Sequence, residues 1–299
     1  MMMEFYRELH SENGPVYLKL DHLAPETLTE IERVLHRTER PSRGRFHQGR
    51  GKSYQSDMVE MHISEIGLCS GHSGSGVWVN ERGETTVAGL YSAGDMACVP
   101  HNYLLGALTY GKLCAQHALS YIEGVGPSGD LDAQIAAERE RVFAPLSRPN
   151  GIPHHQYEYK VRRLVNDYLQ PPKSANRLRA GLEYFTRASE ELSEVGATNP
   201  HDLMRVMEGH FIRDCAEMAA RASLYRTESR WGLYHYRQDF PEMDDDNWFV
   251  HVNLAKDAQG EMTLFKREVA SYVVPLDRAE MRGYHGLRIA PETSVAAAV

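Results

Sequence analysis

The chain has 299 residues, 42% hydrophobic and 25% charged, and carries a formal net charge of −8. This composition excludes a disordered or fibrous chain, and the acidic balance excludes the basic face that a nucleic-acid binder needs. The length allows one large domain or two to three small ones.

Four cysteines (Cys69, Cys98, Cys114 and Cys215) are widely spaced, with no C-x-x-C pair. That pattern fits reduced thiols in a cytoplasm and offers no iron–sulfur or zinc framework. The N-terminal segment MMMEFYRELHSENG lacks the apolar core of a signal peptide. No stretch reaches the roughly 20 apolar residues of a membrane span. A cytoplasmic protein without a membrane span is expected.

In chain order, Glu4–Leu9 is a short amphipathic helix candidate, and Asn13-Gly14-Pro15 is a turn. Val16–Leu20 alternates as a strand does. Pro25–Leu35 predicts a helix, with proline at its start and acids in its first turn. Arg40–Lys52 is rich in Arg and Gly and reads as a loop. Arg37, Arg40, Arg43, Arg45 and Arg50 either grip an anionic substrate bidentately or belong to a solvated basic loop. Met58–Ile63 reads as a further strand.

Gly71 to Tyr121 organises the chain. Val77-Trp78-Val79 is β-rich, Asn80-Glu81-Arg82-Gly83 is a polar turn, and Thr85–Tyr91 is a second β-type run. Ser92-Ala93-Gly94-Asp95 follows, where small residues allow close backbone approach. From Leu104 the pattern is helical. A loop of glycines with one acid, feeding a helix, suits a nucleotide or cofactor.

Gly124 to Gly129 is the clearest linker. Helices are predicted at about Leu131–Phe143, Tyr157–Leu169, Asn176–Val195 and Pro200–Tyr225. In the last of these, Leu203, Val206, Met207, Phe211, Cys215, Met218 and Ala219 recur as a core face. His154-His155 has no partner ligand at suitable spacing, so no metal site is assigned. Phe249–Leu254 and Met262–Val269 flank Lys256–Gly260 as a β-hairpin. The tail after Arg288 reads as frayed. Gly67-Leu68-Cys69-Ser70-Gly71 matches the cysteine form of a nucleophile elbow, G-x-C-x-G. The elbow needs a helix directly after it, whereas Ser73–Val79 predicts loop and strand, which argues against a hydrolase.

Two blocks carry a family resemblance. The run TTVAGLYSAGDMA resembles the second half of the FAD-binding domain in the fumarate reductase/succinate dehydrogenase flavoprotein superfamily, where a strand ending in GL(Y/F)xxG(D/E) brings its acid to the ribityl chain. The following PHNYLLGALTYGKLCA looks most like the adenylylsulfate reductase branch. The run RTESRWGLYHYRQDFPEMDDDNW is similar to the C-terminal domain of the same superfamily. The blocks stand in the family's order and together cover roughly residues 63–270. No G-x-G-x-x-G turn for the ADP half of FAD occurs, since Gly71–Gly76 has the wrong spacing and leads into a strand.

The resemblance implies an α+β fold. Its parts are a remnant of a substrate-capping domain (1–62), the C-terminal part of a Rossmann-like FAD-binding domain (63–125), a helical domain (126–225) and a C-terminal flavoprotein domain with a β-hairpin (226–299). It implies FAD as cofactor, a small anionic substrate, a separate chain carrying the G-x-G-x-x-G half, and an iron–sulfur subunit as electron-transfer partner. For cofactor binding it points to Gly94, Asp95, Leu104, Leu105, Gly106 and Ala107. The Asp95 carboxylate would accept from ribityl hydroxyls, against the plainer reading of a turn cap.

His72 and His101 are the implied catalytic imidazoles. His72 sits in a departure from the family's H-x-x-G-G, because Ser75 replaces the second glycine. Where succinate dehydrogenases read H-x-x-N-R-L-G-G, this chain has His101-Asn102-Tyr103-Leu104-Leu105-Gly106-Ala107, and the missing arginine weakens a dicarboxylate reading. Arg230 and His235 are the implied substrate-side residues, against a reading of their block as an ion-paired corner. The expected function is an FAD-dependent oxidoreductase subunit, and the alternative is a non-catalytic flavoprotein remnant serving as a scaffold.

Overall fold

The computed structural model describes residues 2–39, 41–61, 75–99, 103–126, 129–230 and 232–269. It divides into two compact units, Met1–Met243 and Asp244–Val299.

The first unit begins with α1 (Met2–Leu9), β1 (Tyr17–Leu18), α2 (Pro25–Val34), α3 (Pro41–Gln48) and β2 (Val59–Glu60). β1 and β2 pair antiparallel, Tyr17 opposite Glu60. Pro25 opens α2 with its φ already set for a helix, Glu26 lies in the first turn and Arg33 in the last, so charge and dipole agree. The expected loop over Arg40–Lys52 is instead largely α3. Pro41 starts it, arginine and glutamine tolerate it, and its one interior glycine, Gly44, is held against His36, whose Cβ lies 2.6 Å from where a side chain would begin.

After the segment 75–99 come α4 (Tyr103–Gly124), α5 (Asp132–Phe143), β3 (Ile152–Pro153), α6 (His154–Tyr168), α7 (Ala175–Glu191), β4 (Val195–Gly196) and α8 (Pro200–Tyr225). The caps of α7 and α8 are the Ser/Asn type that short polar side chains make well. Ser174 Oγ accepts from the Arg177 amide, and Asn199 Oδ1 accepts from the Asp202 amide at 3.0 Å. The core lies among α6, α7 and α8, with Tyr157, Val161, Leu178, Phe185, Ala188, Val206, Ala216 and Ala220 buried together. Each large apolar side chain removed from water there contributes about 1.5–3 kcal/mol. Gly181 brings α7 close to the end of α6, since a Cβ there would stand 2.9 Å from the Cβ of Tyr168. The two-residue parallel β3–β4 pairing, Ile152 opposite Val195 and Pro153 opposite Gly196, ties the entrance of α6 to the exit of α7.

The expected strands at Val77–Val79 and Thr85–Tyr91 do not form ladders. The segment makes isolated bridges only, Val77 with Ala97 and Glu84 with Tyr91. Thr85–Tyr91 closes on itself, with the Leu90 amide donating to Val87 O and the Thr85 amide to Leu90 O, both at 3.0 Å. A strand-patterned run without a neighbouring strand has no ladder to join.

The second unit holds α9 (Asp245–Trp248) and an antiparallel hairpin of β5 (Val250–Lys256) and β6 (Met262–Glu268), in register from Val250–Glu268 to Lys256–Met262. This matches the expected hairpin. The fold is mixed helix and strand, with a helical domain and small sheets, as the α+β expectation had it.

Candidate functional site

The glycine-rich segment lies along one face of α4. Asn80 Oδ1 accepts from the Arg82 and Glu84 amides at 2.9 and 3.1 Å and closes the polar turn. Gly83 ends it at φ +77°, and a Cβ there would stand 2.2 Å from Cys114 Sγ. Only glycine meets both demands. The Cys114 thiol is buried against the carbonyls of Gly83 and Ser92, and burial pushes its pKa up. His117, one turn further along α4, sits 2.9 Å from Tyr91 Oη and 3.3 Å from Glu84 Oε1 through Nδ1. Arg82 Nη1 lies 3.2 Å from His117 Nε2 and donates to it. These contacts hold the segment to the helix.

Gly94, Asp95 and Met96 form a single 3-10 turn at the start of this helix. Gly94 has φ +69°, and its missing side chain leaves the turn against Ala107, whose Cβ lies 3.2 Å from the position a Cβ would take. Asp95 is exposed on the turn. Leu104 and Leu105, in the first turn of α4, are 77% and 62% exposed. Ser92 Oγ, just upstream, is buried with no hydrogen-bond partner. The structure therefore brings Gly94, Asp95 and Leu104–Ala107 together. A close-packed glycine turn, an outward carboxylate and a helix N-terminus are groups that fit the ribityl and ring portions of a flavin. His72 and His101 lie outside the described residues.

Arg230 and His235 are brought together elsewhere, beyond the C-terminal end of α8. The Arg230 amide donates to His235 O at 2.9 Å. Both side chains are buried. Arg230 grips Glu228 bidentately, at 2.6 and 2.9 Å, and Arg226 reaches the same carboxylate at 2.5 Å. Arg237 is fully buried, holds Asp239 through two bonds of 2.8 Å, and donates to the carbonyls of Ser223 at 2.6 Å and Arg226 at 2.9 Å. It thereby satisfies carbonyls that the last turn of α8 leaves without helical partners. Lys173, from the loop before α7, pairs its backbone with Tyr236 and Gln238 and extends Nζ to Ser223 Oγ at 3.1 Å.

Burial, then the Arg237 charge, brings the Lys173 pKa down to about 8. Burial, then the charges of Lys173, Arg226 and Arg237, brings His235 down to about 3, so its ring is neutral at physiological pH. His235 Nε2 is buried without a hydrogen-bond partner. The alternating charges of Arg226, Glu228 and Arg230 in the sequence signalled this ion-paired corner, whereas Arg237 and Asp239 were not singled out. Lys173 and Ser223 carried no such signal, because their partners stand about 50 or more residues away in the chain.

Residues 158–285 match the family model described as fumarate reductase flavoprotein C-term. An uncharacterized FAD-dependent oxidoreductase of Methanocaldococcus jannaschii is 24% identical over 248 residues, which is 78% of this chain and 42% of that protein. A fumarate reductase flavoprotein subunit of Mycobacterium tuberculosis is 29% identical over 212 residues, 62% of this chain and 35% of that one. Among solved structures, adenylylsulfate reductase from Archaeoglobus fulgidus superposes with a TM-score of 0.70 at 24% identity, over 89% of this chain and 49% of that one. An E. coli quinol fumarate reductase chain superposes with a TM-score of 0.70 at 20% identity, over 91% of this chain and 48% of that one. The chain spans about half the length of these structures and less than half of the curated relatives. Residues 158–285 thus match the fumarate reductase flavoprotein C-terminal model, and the chain resembles the C-terminal part of fumarate reductase, succinate dehydrogenase and adenylylsulfate reductase flavoproteins.

Proposed function

We propose that this chain is part of an FAD-dependent oxidoreductase acting on a small anionic substrate, and that it works with a separate polypeptide carrying the ADP-binding half. The observation that supports it most is the Gly94–Asp95 turn seated on Ala107 at the start of α4. It occurs in a chain whose relatives include a named FAD-dependent oxidoreductase.

When bound, FAD supplies a two-electron carrier that takes or gives hydride. This chain's residues would hold and tune it. The Asp95 carboxylate would accept hydrogen bonds from ribityl hydroxyls and fix the cofactor chain. The first turn of α4, over Leu104–Ala107, would offer backbone amides and the positive end of the helix dipole to negative charge on the ring. His72 and His101 are the proposed proton-handling groups, and Arg230 and His235 the proposed substrate-side pair. An iron–sulfur subunit is the proposed electron partner.

A second reading, a scaffold without catalysis, is favoured by the corner beyond α8. There Arg230 already spends its fork on Glu228, and His235 is held neutral. Visible absorbance of the purified chain, with added FAD and with or without a co-expressed G-x-G-x-x-G polypeptide, separates the two. Stoichiometric flavin in the wild type, lost in Asp95→Ala, is the expected result. A co-purified complex that never takes up flavin would sink the oxidoreductase reading and leave the scaffold.

A further inference from the structure

The corner beyond α8 holds a buried amine that the proposed function does not use. Lys173 is 5% exposed, and its backbone is clamped on both sides. Its amide donates to Tyr236 O and its carbonyl accepts from the Gln238 amide, both at 2.8 Å. The side chain therefore cannot carry its charge out to water, as an unrestrained lysine stem does. Among the described residues its Nζ has one hydrogen-bond partner, the neutral Ser223 Oγ at 3.1 Å, which leaves two of its three N–H groups unused. Asp239 is taken up by the Arg237 fork, and the charge that acts on Lys173 is that of Arg237, also positive.

His235 completes the site. Its neutral ring hydrogen-bonds to the Arg226 backbone, a contact that favours the charged form and so runs from an imidazole N–H to the carbonyl. Nε2 is buried without a partner, so that N–H is on Nδ1 and Nε2 keeps a bare lone pair. Of the charges around the ring, Lys173 acts on it most strongly, ahead of Arg226 and Arg237. The corner thus lacks two things at once, an anion for Lys173 and a donor for His235 Nε2. A free anion such as chloride supplies the first and not the second. An amine that has combined with carbon dioxide supplies both, because it becomes an anion and keeps one N–H.

We propose that Lys173 is a modification site that takes up carbon dioxide as a carbamate on Nζ, held by Ser223, Arg237 and His235. The lone pair of the neutral amine attacks the CO2 carbon, the C–N bond forms, and one C=O π pair moves onto oxygen. One proton leaves the nitrogen for water, so Lys–NH2 and CO2 become Lys–NH–COO− and H+, with no oxidant or reductant. The Ser223 hydroxyl, which accepts from the ammonium, turns to donate to a carbamate oxygen. The Arg237 charge, which opposes the ammonium, favours the carbamate. The remaining N–H is the donor for His235 Nε2. Because burial brings the Lys173 pKa down to about 8, the reactive unprotonated amine is present near neutral pH, as it is not on an exposed lysine. CO2 is small and uncharged, so burial that keeps out an ion does not keep it out.

The test equilibrates the full chain with bicarbonate and CO2 near neutral pH and then adds triethyloxonium ion, which converts a carbamate into a stable ethyl carbamate. Mass spectrometry of the digest maps the label, and a peptide with a free α-amino group in the same tube is the labelling control. Ethyl carbamate on Lys173 is expected at least about tenfold above that on the exposed Lys112 and Lys256. A second readout is the carbonyl resonance of protein equilibrated with 13C-bicarbonate, present in the wild type and lost in Lys173→Met, whose fold is checked by circular dichroism. Bicarbonate should also raise the Tm of the wild type and not that of Lys173→Met, since the adduct forms on the folded state. A labelled control peptide beside an unlabelled Lys173, or equal labelling of Lys173, Lys112 and Lys256, would overturn the proposal and leave a buried water between Lys173 and His235. The label is read with no flavin in the tube, so it bears on this corner and not on the proposed oxidoreductase.

Discussion

Lys173 shows how far a single buried charge can be driven from its ordinary behaviour. Its ammonium is buried with one neutral partner, Ser223, and faces Arg237. His235 and Arg226 complete the titratable and charged surroundings from the loop beyond α8. Below about pH 8 the folded and unfolded chains both carry this proton, and the folded chain bears the full cost of burying it. Between about 8 and the ordinary lysine value of 10.5 the unfolded chain holds a proton that the folded chain has released, so stability rises with pH. The gain over that window is roughly 3 kcal/mol. Tyr157, Cys114 and Cys215, all pushed up by burial, work in the opposite direction at alkaline pH. The clean readout is therefore the difference between wild type and Lys173→Met in urea midpoint from pH 7 to 10. Lys173→Met should be the more stable at pH 7, and its advantage should shrink as pH rises. Parallel profiles would show that Lys173 is solvated.

Arg237 is the corresponding case of a charge that is fully satisfied. Its guanidinium joins Asp239 to the carbonyls at the end of α8. Arg237→Ala leaves those acceptors and a carboxylate without it, and should cost about 3–5 kcal/mol. Arg237→Lys should rescue little of this in a denaturant titration, since a point charge cannot reproduce the planar fork. Full rescue by lysine would mean that charge alone is what the corner needs.

At the scale of elements, the sequence was most legible where caps and period agree. The helices expected over Pro200–Tyr225 and Pro25–Leu35 are α8 and α2, each with proline at its first position. β5 and β6 were legible from alternation around a polar turn, because each strand finds its partner within the same short stretch. Val77–Tyr91 was not, because a strand is defined by a neighbour that no local pattern contains. α3 was missed because its arginines and Gly44, with Gly49 and Gly51 just beyond, resemble a loop until Gly44 is seen to pack on His36. At the candidate site, the Gly94–Asp95 turn and its approach to α4 were legible through small residues. The buried contacts of Lys173 were not.

Gly83 tests the seam between the segment and α4. Gly83→Ala places a Cβ at φ +77° and 2.2 Å from Cys114 Sγ. The conformation costs roughly 1–2 kcal/mol and the overlap a further 1–3 kcal/mol or so. Adding Cys114→Ala should recover the overlap but not the backbone cost, a coupling that a double-mutant cycle on thermal unfolding measures. Strict additivity of the two substitutions would mean that the seam is looser than drawn.

For the whole molecule, the proposed function makes one thermodynamic demand. A ligand that binds only the folded state raises its stability by an amount set by the ratio of free ligand to Kd, about 2.7 kcal/mol at a hundredfold excess over Kd. A half-site made of one turn and one helix end gives FAD few contacts, so the chain alone should show almost no change in Tm when FAD is added. Together with the proposed polypeptide carrying the ADP-binding half it should show a shift of several degrees. Asp95→Asn should reduce that shift in the complex, since an amide is a weaker acceptor for ribityl hydroxyls than a carboxylate. An FAD-dependent shift in the chain alone, as large as that in the complex, would show that this half suffices.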